Sequence, residues 1–299
     1  MSNNIFFSII IPTYNRSYLI GKAIHSALNQ NYSSFEIIVV DDGSTDDTEA
    51  IVKEIKSEKL FYFKKENAER GAARNFGVQK SKGDYVNFLD SDDLLYPHHL
   101  SSALKLIAEL NRPELFYLNY DIKDHQMKFL KKGTLIKGYL NRKLLKGNVV
   151  SCNGVFIKHE IAIRYPFNEN RQLAATEDWL LWLQLASRYK FYFSNTVTSA
   201  IIQHDNRSVL NINEDSLLKR KNLLIQYLSE DSVFMHKYGS HLKAVEAHML
   251  SYMGLHLAMS GRPLKGIYYL AKAGKKKIRE LIHKRSLAII KYALINAFA

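Results

Sequence analysis

Phe35-Glu-Ile-Ile-Val-Val-Asp41-Asp42-Gly43-Ser44-Thr45-Asp46-Asp47-Thr48-Glu49 is the stretch on which the fold turns. Phe35 to Val40 is apolar apart from Glu36, the pattern of a strand covered on both faces. Asp41-Asp42-Gly43-Ser44 is a turn signal. Thr45 then offers a cap for a helix running to Lys56, with Asp46, Asp47 and Glu49 at its positive end. Strand, tight turn and helix in succession form the repeating unit of a parallel sheet, because parallel neighbours need a crossover connection.

The same unit recurs on either side. Upstream, Phe6 to Ile11 reads as a buried strand, and Ser17 to Asn29 as a helix with Leu19, Ile20, Ala23, Ile24, Ala27 and Leu28 on one stripe. Downstream come a short strand at Leu60 to Phe63, a helix at Gly71 to Gln79 and a strand at Tyr85 to Leu89. Ligands of such sheets bind beyond the carboxyl ends of the strands, which directs attention to Pro12–Arg16, Asp41–Ser44 and Asp90–Asp93. From about residue 214 onward only helical patterns follow: His241 to Ser260, a Gly261-Arg262-Pro263 turn, then Leu264 to Lys275. The expected organisation is an α/β domain over 1–212, divided into halves at 1–110 and 111–212, and a helical C-terminal region over 213–299.

Composition narrows the function. The 299 residues are 46% hydrophobic and 24% charged, a globular balance. The single cysteine, Cys152, excludes a disulfide scaffold and a cysteine-based zinc site. The N-terminal residues carry no basic region or cleavage site of a signal peptide, and no run approaches the ~18 apolar residues of a spanning helix. No G-x-G-x-x-G or G-x-x-x-x-G-K-[ST] is present, which argues against dinucleotide oxidoreductases and P-loop enzymes.

The chemistry concentrates in acids at strand ends. Asp41-Asp42 and Asp90-Ser91-Asp92-Asp93 each follow a buried strand. Clustered carboxylates repel one another, and an oxygen-ligated divalent cation relieves that repulsion. The ordinary alternative is a turn or helix cap, where Asp is abundant. Three Asp in four residues at 90–93 exceed what a cap needs, whereas Asp41–Ser44 alone suits either reading.

Ile9-Ile-Ile-Pro12-Thr13-Tyr14-Asn15-Arg16, Val39-Val-Asp41-Asp42-Gly43-Ser44-Thr45-Asp46, Gly71-Ala-Ala-Arg74-Asn75 and Asp90-Ser-Asp92-Asp93 together resemble the family 2 glycosyltransferases of GT-A fold. The resemblance covers roughly the first 110 residues. It implies a Rossmann-like, mostly parallel central sheet with flanking helices. It also implies inverting transfer of a hexosyl or N-acetylhexosaminyl group from a UDP-sugar, with Mn²⁺ or Mg²⁺, in bacterial surface-polysaccharide synthesis. Pro12, Thr13, Tyr14, Arg16, Asp41 and Asp42 would hold the nucleotide, with Arg74 near the base and ribose. Asp90 and Ser91 would lie on the donor side. Asp92 or Asp93 would ligate the metal. An inverting displacement needs a base for the acceptor hydroxyl. Thr176-Glu177-Asp178-Trp179 resembles the family's E-D motif, making Asp178 the base and Glu177 its neighbour; a helix cap with acids on its first turn is the plain alternative. His204 would complete the metal site and Arg207 would reach the diphosphate, while Trp179 and Asn153 would lie on the acceptor side.

The formal net charge of +13 admits a second class, a nucleic-acid or anionic-membrane binding protein without catalysis. Its distribution argues otherwise. Arg262 to Ala299 holds ten Lys or Arg and one acid, Glu280, so nine of the thirteen charges sit in the last 38 residues. Basic residues mixed with Ile and Leu at helical spacing suit an anionic membrane surface more than a nucleic-acid groove; the plain alternative is a tail packed on the rest of the protein or on a second subunit, with its Lys and Arg solvated. The sequence thus predicts a cytoplasmic enzyme, peripheral on the inner face of the membrane, acting on a glycan or lipid-linked acceptor. No nucleic-acid partner is expected, and a homo-oligomer is compatible with the sequence.

Overall fold

The computed structural model describes residues 4–203 and 213–297. In chain order the elements are β1 (Phe7–Thr13), α1 (Ser17–Leu28), β2 (Phe35–Asp41), α2 (Thr48–Glu54), β3 (Leu60–Lys64), α3 (Glu69–Lys80), β4 (Tyr85–Phe88), β5 (Leu94–Leu95), α4 (His99–Glu109), β6 (Leu115–Asp124), β7 (Phe129–Lys132), α5 (Leu140–Leu144), β8 (Val155–Lys158), α6 (His159–Arg164), α7 (Glu177–Arg188) and β9 (Tyr192–Gln203). Five helices follow: α8 (Glu214–Glu230), α9 (Ser232–Tyr238), α10 (Leu242–Met259), α11 (Pro263–Lys276) and α12 (Lys284–Ala297).

The strands form one sheet in the order β3-β2-β1-β4-β8-β6-β9-β5, with β7 paired to β6. The first four are parallel, as the repeated strand–helix unit requires. β1 and β2 are buried at every position, which is why they read as continuous apolar runs. Beyond β4 the sheet is mixed: β8 runs antiparallel to β4 and β6, whereas β6 and β9 are parallel. The register aligns Thr13 with Asp41 and Ile10 with Phe88, so the turns after β1, β2 and β4 leave the same edge of the sheet.

One helix start departs from expectation. α2 begins at Thr48, with Asp47 rather than Thr45 as the preceding residue. The intervening polar groups serve the neighbouring loop as well as the helix start, where Asp46 Oδ1 accepts from the Thr48 N–H at 3.1 Å. The Thr45 N–H donates to Asn15 Oδ1 at 2.8 Å, and Asp46 accepts from the Ser17 N–H at 3.0 Å. These bonds hold Asp46 down to about pKa 2: Thr48 and Ser17 outweigh the opposing effect of burial.

Two compact units divide the chain. One comprises Met1–Leu140, Val149–Leu181 and Tyr189–Arg207; the other comprises Asn141–Asn148, Trp182–Arg188 and Ser208–Ala299. The second unit centres on Leu217, Leu250, Met253, Leu257 and Tyr269. Its α10 and α11 meet at Gly254 and Gly266, where a Cβ on either would lie 2.8 Å from the other's carbonyl oxygen. No helix among the described residues is long and apolar enough to cross a membrane.

Candidate active site

The site lies in the first unit, at the ends of β1, β2 and β4. Its centre is Arg74, carried inward by α3 and 1% exposed. One guanidinium nitrogen donates to Asp90 Oδ1 at 2.7 Å and another to Glu177 Oε1 at 2.9 Å. The Phe167 ring lies 5.2 Å from the guanidinium carbon, and the Nε–H has no hydrogen-bond partner among the described residues. Burial opposes a charge here, but Asp90, Glu177 and Asp178 outweigh it and hold Arg74 well above its ordinary pKa. Asn75, the next residue, secures the Phe167 segment. Its amide donates to the Phe167 carbonyl at 2.9 Å and accepts from the Phe167 N–H at 2.8 Å.

Carboxylate oxygens of Asp90, Asp92 and Asp93 lie within 4.8 Å of one another. They are not equivalent. Asp93 is 1% exposed; its Oδ1 accepts from the Ile202 N–H at 2.9 Å and its Oδ2 from the Asn153 amide at 2.8 Å. Asp90 and Asp92 are half-buried. Hard carboxylate oxygens at this spacing fit Mg²⁺ or Mn²⁺ rather than a softer metal.

Asn153, expected on the acceptor side, is fully buried and braces the acidic loop. Besides its bond to Asp93, its Oδ1 accepts from the Asp90 N–H at 3.2 Å. Its carbonyl accepts from Asn87 at 2.9 Å, and Asn87 in turn meets His99 Nε2 at 3.3 Å. Burial holds His99 neutral, with its pKa lowered to about 3. Asn87 and His99 did not figure in the expected site. The available signal was Asn87 itself, a polar residue inside an apolar strand that needs buried partners. Gly154 lets this turn close on β6, since a Cβ there would lie 2.0 Å from the Leu118 carbonyl oxygen.

Glu177 and Asp178 open α7. The preceding Ala175 holds a left-handed φ of 68°, a costly conformation for a residue with a Cβ. Glu177 is 3% exposed, with Oε2 accepting from the Thr176 N–H at 3.0 Å. Asp178 is half-buried; its Oδ2 lies 4.0 Å from Cys152 Sγ and its Oδ1 accepts from the Trp179 N–H. Burial pushes the Cys152 thiol far above its ordinary pKa, so it stays protonated and faces the Asp178 carboxylate as a donor. Trp179 is 3% exposed, so most of its ring is spent on packing.

The loops after β1 and β2 are tied to one another. The Asn15 N–H donates to Ser44 Oγ at 2.9 Å. Asp41 is fully buried, accepting from the Ser44 N–H and from the Tyr62 hydroxyl, both at 2.7 Å. Asp42 accepts from Lys65 at 2.8 Å and the Ala68 N–H at 3.0 Å. Pro12 and Thr13 are buried, Arg16 is half-buried and Tyr14 is 48% exposed. Ser91 is buried in the acidic loop. His204 and Arg207 lie outside the described residues.

Residues 8–157 match the family Glycosyl transferase family 2. The chain is 32% identical over 262 residues to an uncharacterised glycosyltransferase of Rickettsia typhi, covering 78% of this chain and 80% of that one. A second uncharacterised glycosyltransferase, of Rickettsia bellii, is 33% identical over 218 residues; the match takes 70% of this chain but 30% of that longer protein. Among solved structures, S. aureus TarS 1–349 in complex with UDP-GlcNAc superposes with a TM-score of 0.68 at 19% identity, covering 98% of this chain and 91% of that one. The mixed sheet with its strand-end acids is thus a GT-A fold, and this chain belongs to glycosyl transferase family 2.

Proposed function

We propose that the protein is an inverting, metal-dependent transferase that moves a hexosyl or N-acetylhexosaminyl group from a UDP-sugar to a hydroxyl of a glycan or lipid-linked acceptor, in surface-polysaccharide synthesis at the cytoplasmic face of a membrane. One observation carries this reading. A single buried arginine is bonded on one side to the acidic loop and on the other to the carboxylate beside Asp178. Groups that would act on the donor and on the acceptor are therefore held in one rigid arrangement, which favours pre-organised charge over rearrangement during reaction.

Asp178 acts as the base that takes the proton from the attacking acceptor hydroxyl. Attack on the anomeric carbon from the face opposite the departing UDP inverts its configuration. Glu177, spent on Arg74, orients that base without reacting. Asp92, with Asp90 beside it, would hold the metal directly, since both Asp93 oxygens already serve the protein. A divalent cation held there would offset negative charge developing on the leaving diphosphate. Tyr14 supplies an exposed ring for the uracil, among Pro12, Thr13, Arg16 and the Asp41–Asp42 turn.

The test is UDP release from a panel of UDP-sugars, without acceptor, in the presence of Mn²⁺ or Mg²⁺. One sugar should support slow hydrolysis that a chelator abolishes. With acceptor, Asp178→Asn should lower turnover by roughly 10²–10⁴-fold and leave donor affinity nearly unchanged. Turnover indifferent to Asp178→Asn removes that residue as base, and release indifferent to chelator removes the metal.

A further inference from the structure

α12 has two apolar faces, and only one of them is used. Inward, Ile289 is fully buried and Tyr292 packs beside it against Ala258 and Leu270. Outward, Leu287, Ile290 and Leu294 are 69%, 45% and 55% exposed. At helical spacing these three fall within about 60° of one another, a continuous stripe rather than scattered exposure. A helix that only needed to cover α10 and α11 would carry polar residues there.

Charge identifies what covers the stripe. Lys284 and Lys291 are exposed along one flank of it on the same helix. The only acid after Arg262 is Glu280, and it is turned inward, accepting from Ser251 Oγ at 2.9 Å. Ile282, two residues before α12, is 86% exposed, and Lys272 on α11 lies over the exposed Tyr268 ring at 4.3 Å. Apolar side chains flanked by lysines, with no acidic side chain anywhere on α12, match an interface where acyl chains lie beneath anionic headgroups. A second copy of this chain docked by the same face would set lysines against lysines, with no acid on α12 to answer them.

We infer that the outward face of α12 seats the protein on an anionic lipid surface, with Leu287, Ile290 and Leu294 entering the acyl boundary and Lys284 and Lys291 against the headgroups. The inference sharpens the reading of a membrane-proximal acceptor, yet its test needs no turnover. The full-length chain should sediment with vesicles containing phosphatidylglycerol and lose most of that binding on pure phosphatidylcholine or at high salt. Leu287→Ser with Leu294→Ser should weaken vesicle binding by about tenfold or more, and Lys284→Gln with Lys291→Gln by a similar factor. All four substitutions should leave circular dichroism and acceptor-free UDP release unchanged, which separates lost docking from lost folding. Equal binding to neutral vesicles, or undiminished binding by both double variants, overturns the inference. So does a concentration-dependent dimer, free of lipid, that the leucine substitutions dissociate. A protein that sediments with anionic vesicles but releases no UDP from any sugar leaves the docking intact and counts against the catalytic reading alone.

Discussion

Replacing Arg74 with Met removes the charge at the centre of the site while keeping much of the side chain's volume. The consequences divide unequally between its two partners. The Glu177 side chain is 4% exposed and would keep only the Thr176 N–H among the described residues, whereas Asp90 is 29% exposed and can turn to water. Stranding a buried carboxylate costs about 3–5 kcal/mol. The Asp90 pair contributes at most about 1 kcal/mol, because solvent screens it. Against the roughly 5–15 kcal/mol that holds a domain together, the variant should remain folded at moderate temperature with little reserve. The loss belongs to the stranded charge rather than to the missing side-chain volume. Urea unfolding followed by tryptophan fluorescence at pH 8 should show Arg74→Met less stable than wild type by about 3 kcal/mol or more. Adding Glu177→Gln should recover about 2 kcal/mol or more at pH 8, because the stranded charge is gone. A loss below about 1 kcal/mol, or a double variant no more stable than the single one, would refute the assignment of Arg74 as the counter-charge to Glu177.

Two further outcomes follow from the bracing of the acidic loop. Asn153→Ala leaves Asp93 Oδ2 without its 2.8 Å donor in a buried setting, at a cost of about 1–3 kcal/mol. It should also raise the metal concentration for half-maximal UDP release; a stability loss with metal dependence unchanged would show that the brace acts on folding alone. His99, held neutral with a pKa of about 3, contributes stability that is fully present above pH ~6.5 and is lost as pH falls toward its folded value, at no more than about 1.4 kcal/mol per unit. Its ring should not titrate by NMR above pH 5, and a midpoint near 6 would overturn the buried network that joins it to Asn87 and Thr198.

Legibility in the sequence followed burial. β1 and β2 are covered on both faces, so their boundaries could be read to within two residues. β7 has all four residues exposed and β5 is two residues long, so neither carries a period to read. α2 starts later than its sequence suggests because Thr45 is held by Asn15, thirty residues away, while Asp46 serves both the Ser17 N–H and the Thr48 N–H that opens the helix. The same cause limited the site. Asp90, Asp92 and Asp93 announce themselves by local density, whereas Arg74 finds its partners 16 and 103 residues along the chain. Asn153 stood in the expected neighbourhood, but nothing local indicated that its amide would face Asp93 across 60 residues.

Those distant pairings bear on which residues can touch a substrate. Arg74 would be the natural choice for a donor phosphate, being the cation beside an acidic loop. Yet it is 1% exposed, and both its terminal nitrogens are bonded to carboxylates that would lose their partners if it turned outward. A guanidinium cannot hold Asp90 and Glu177 and also follow a diphosphate that arrives and departs in each cycle. The countercharge for the leaving group must therefore come from something other than Arg74. Substitutions at Arg74 and at Asp92 should accordingly separate: the first registers mainly in folding, the second mainly in donor binding. A variant of Arg74 that folded as well as wild type but bound UDP-sugar far more weakly would reverse that division.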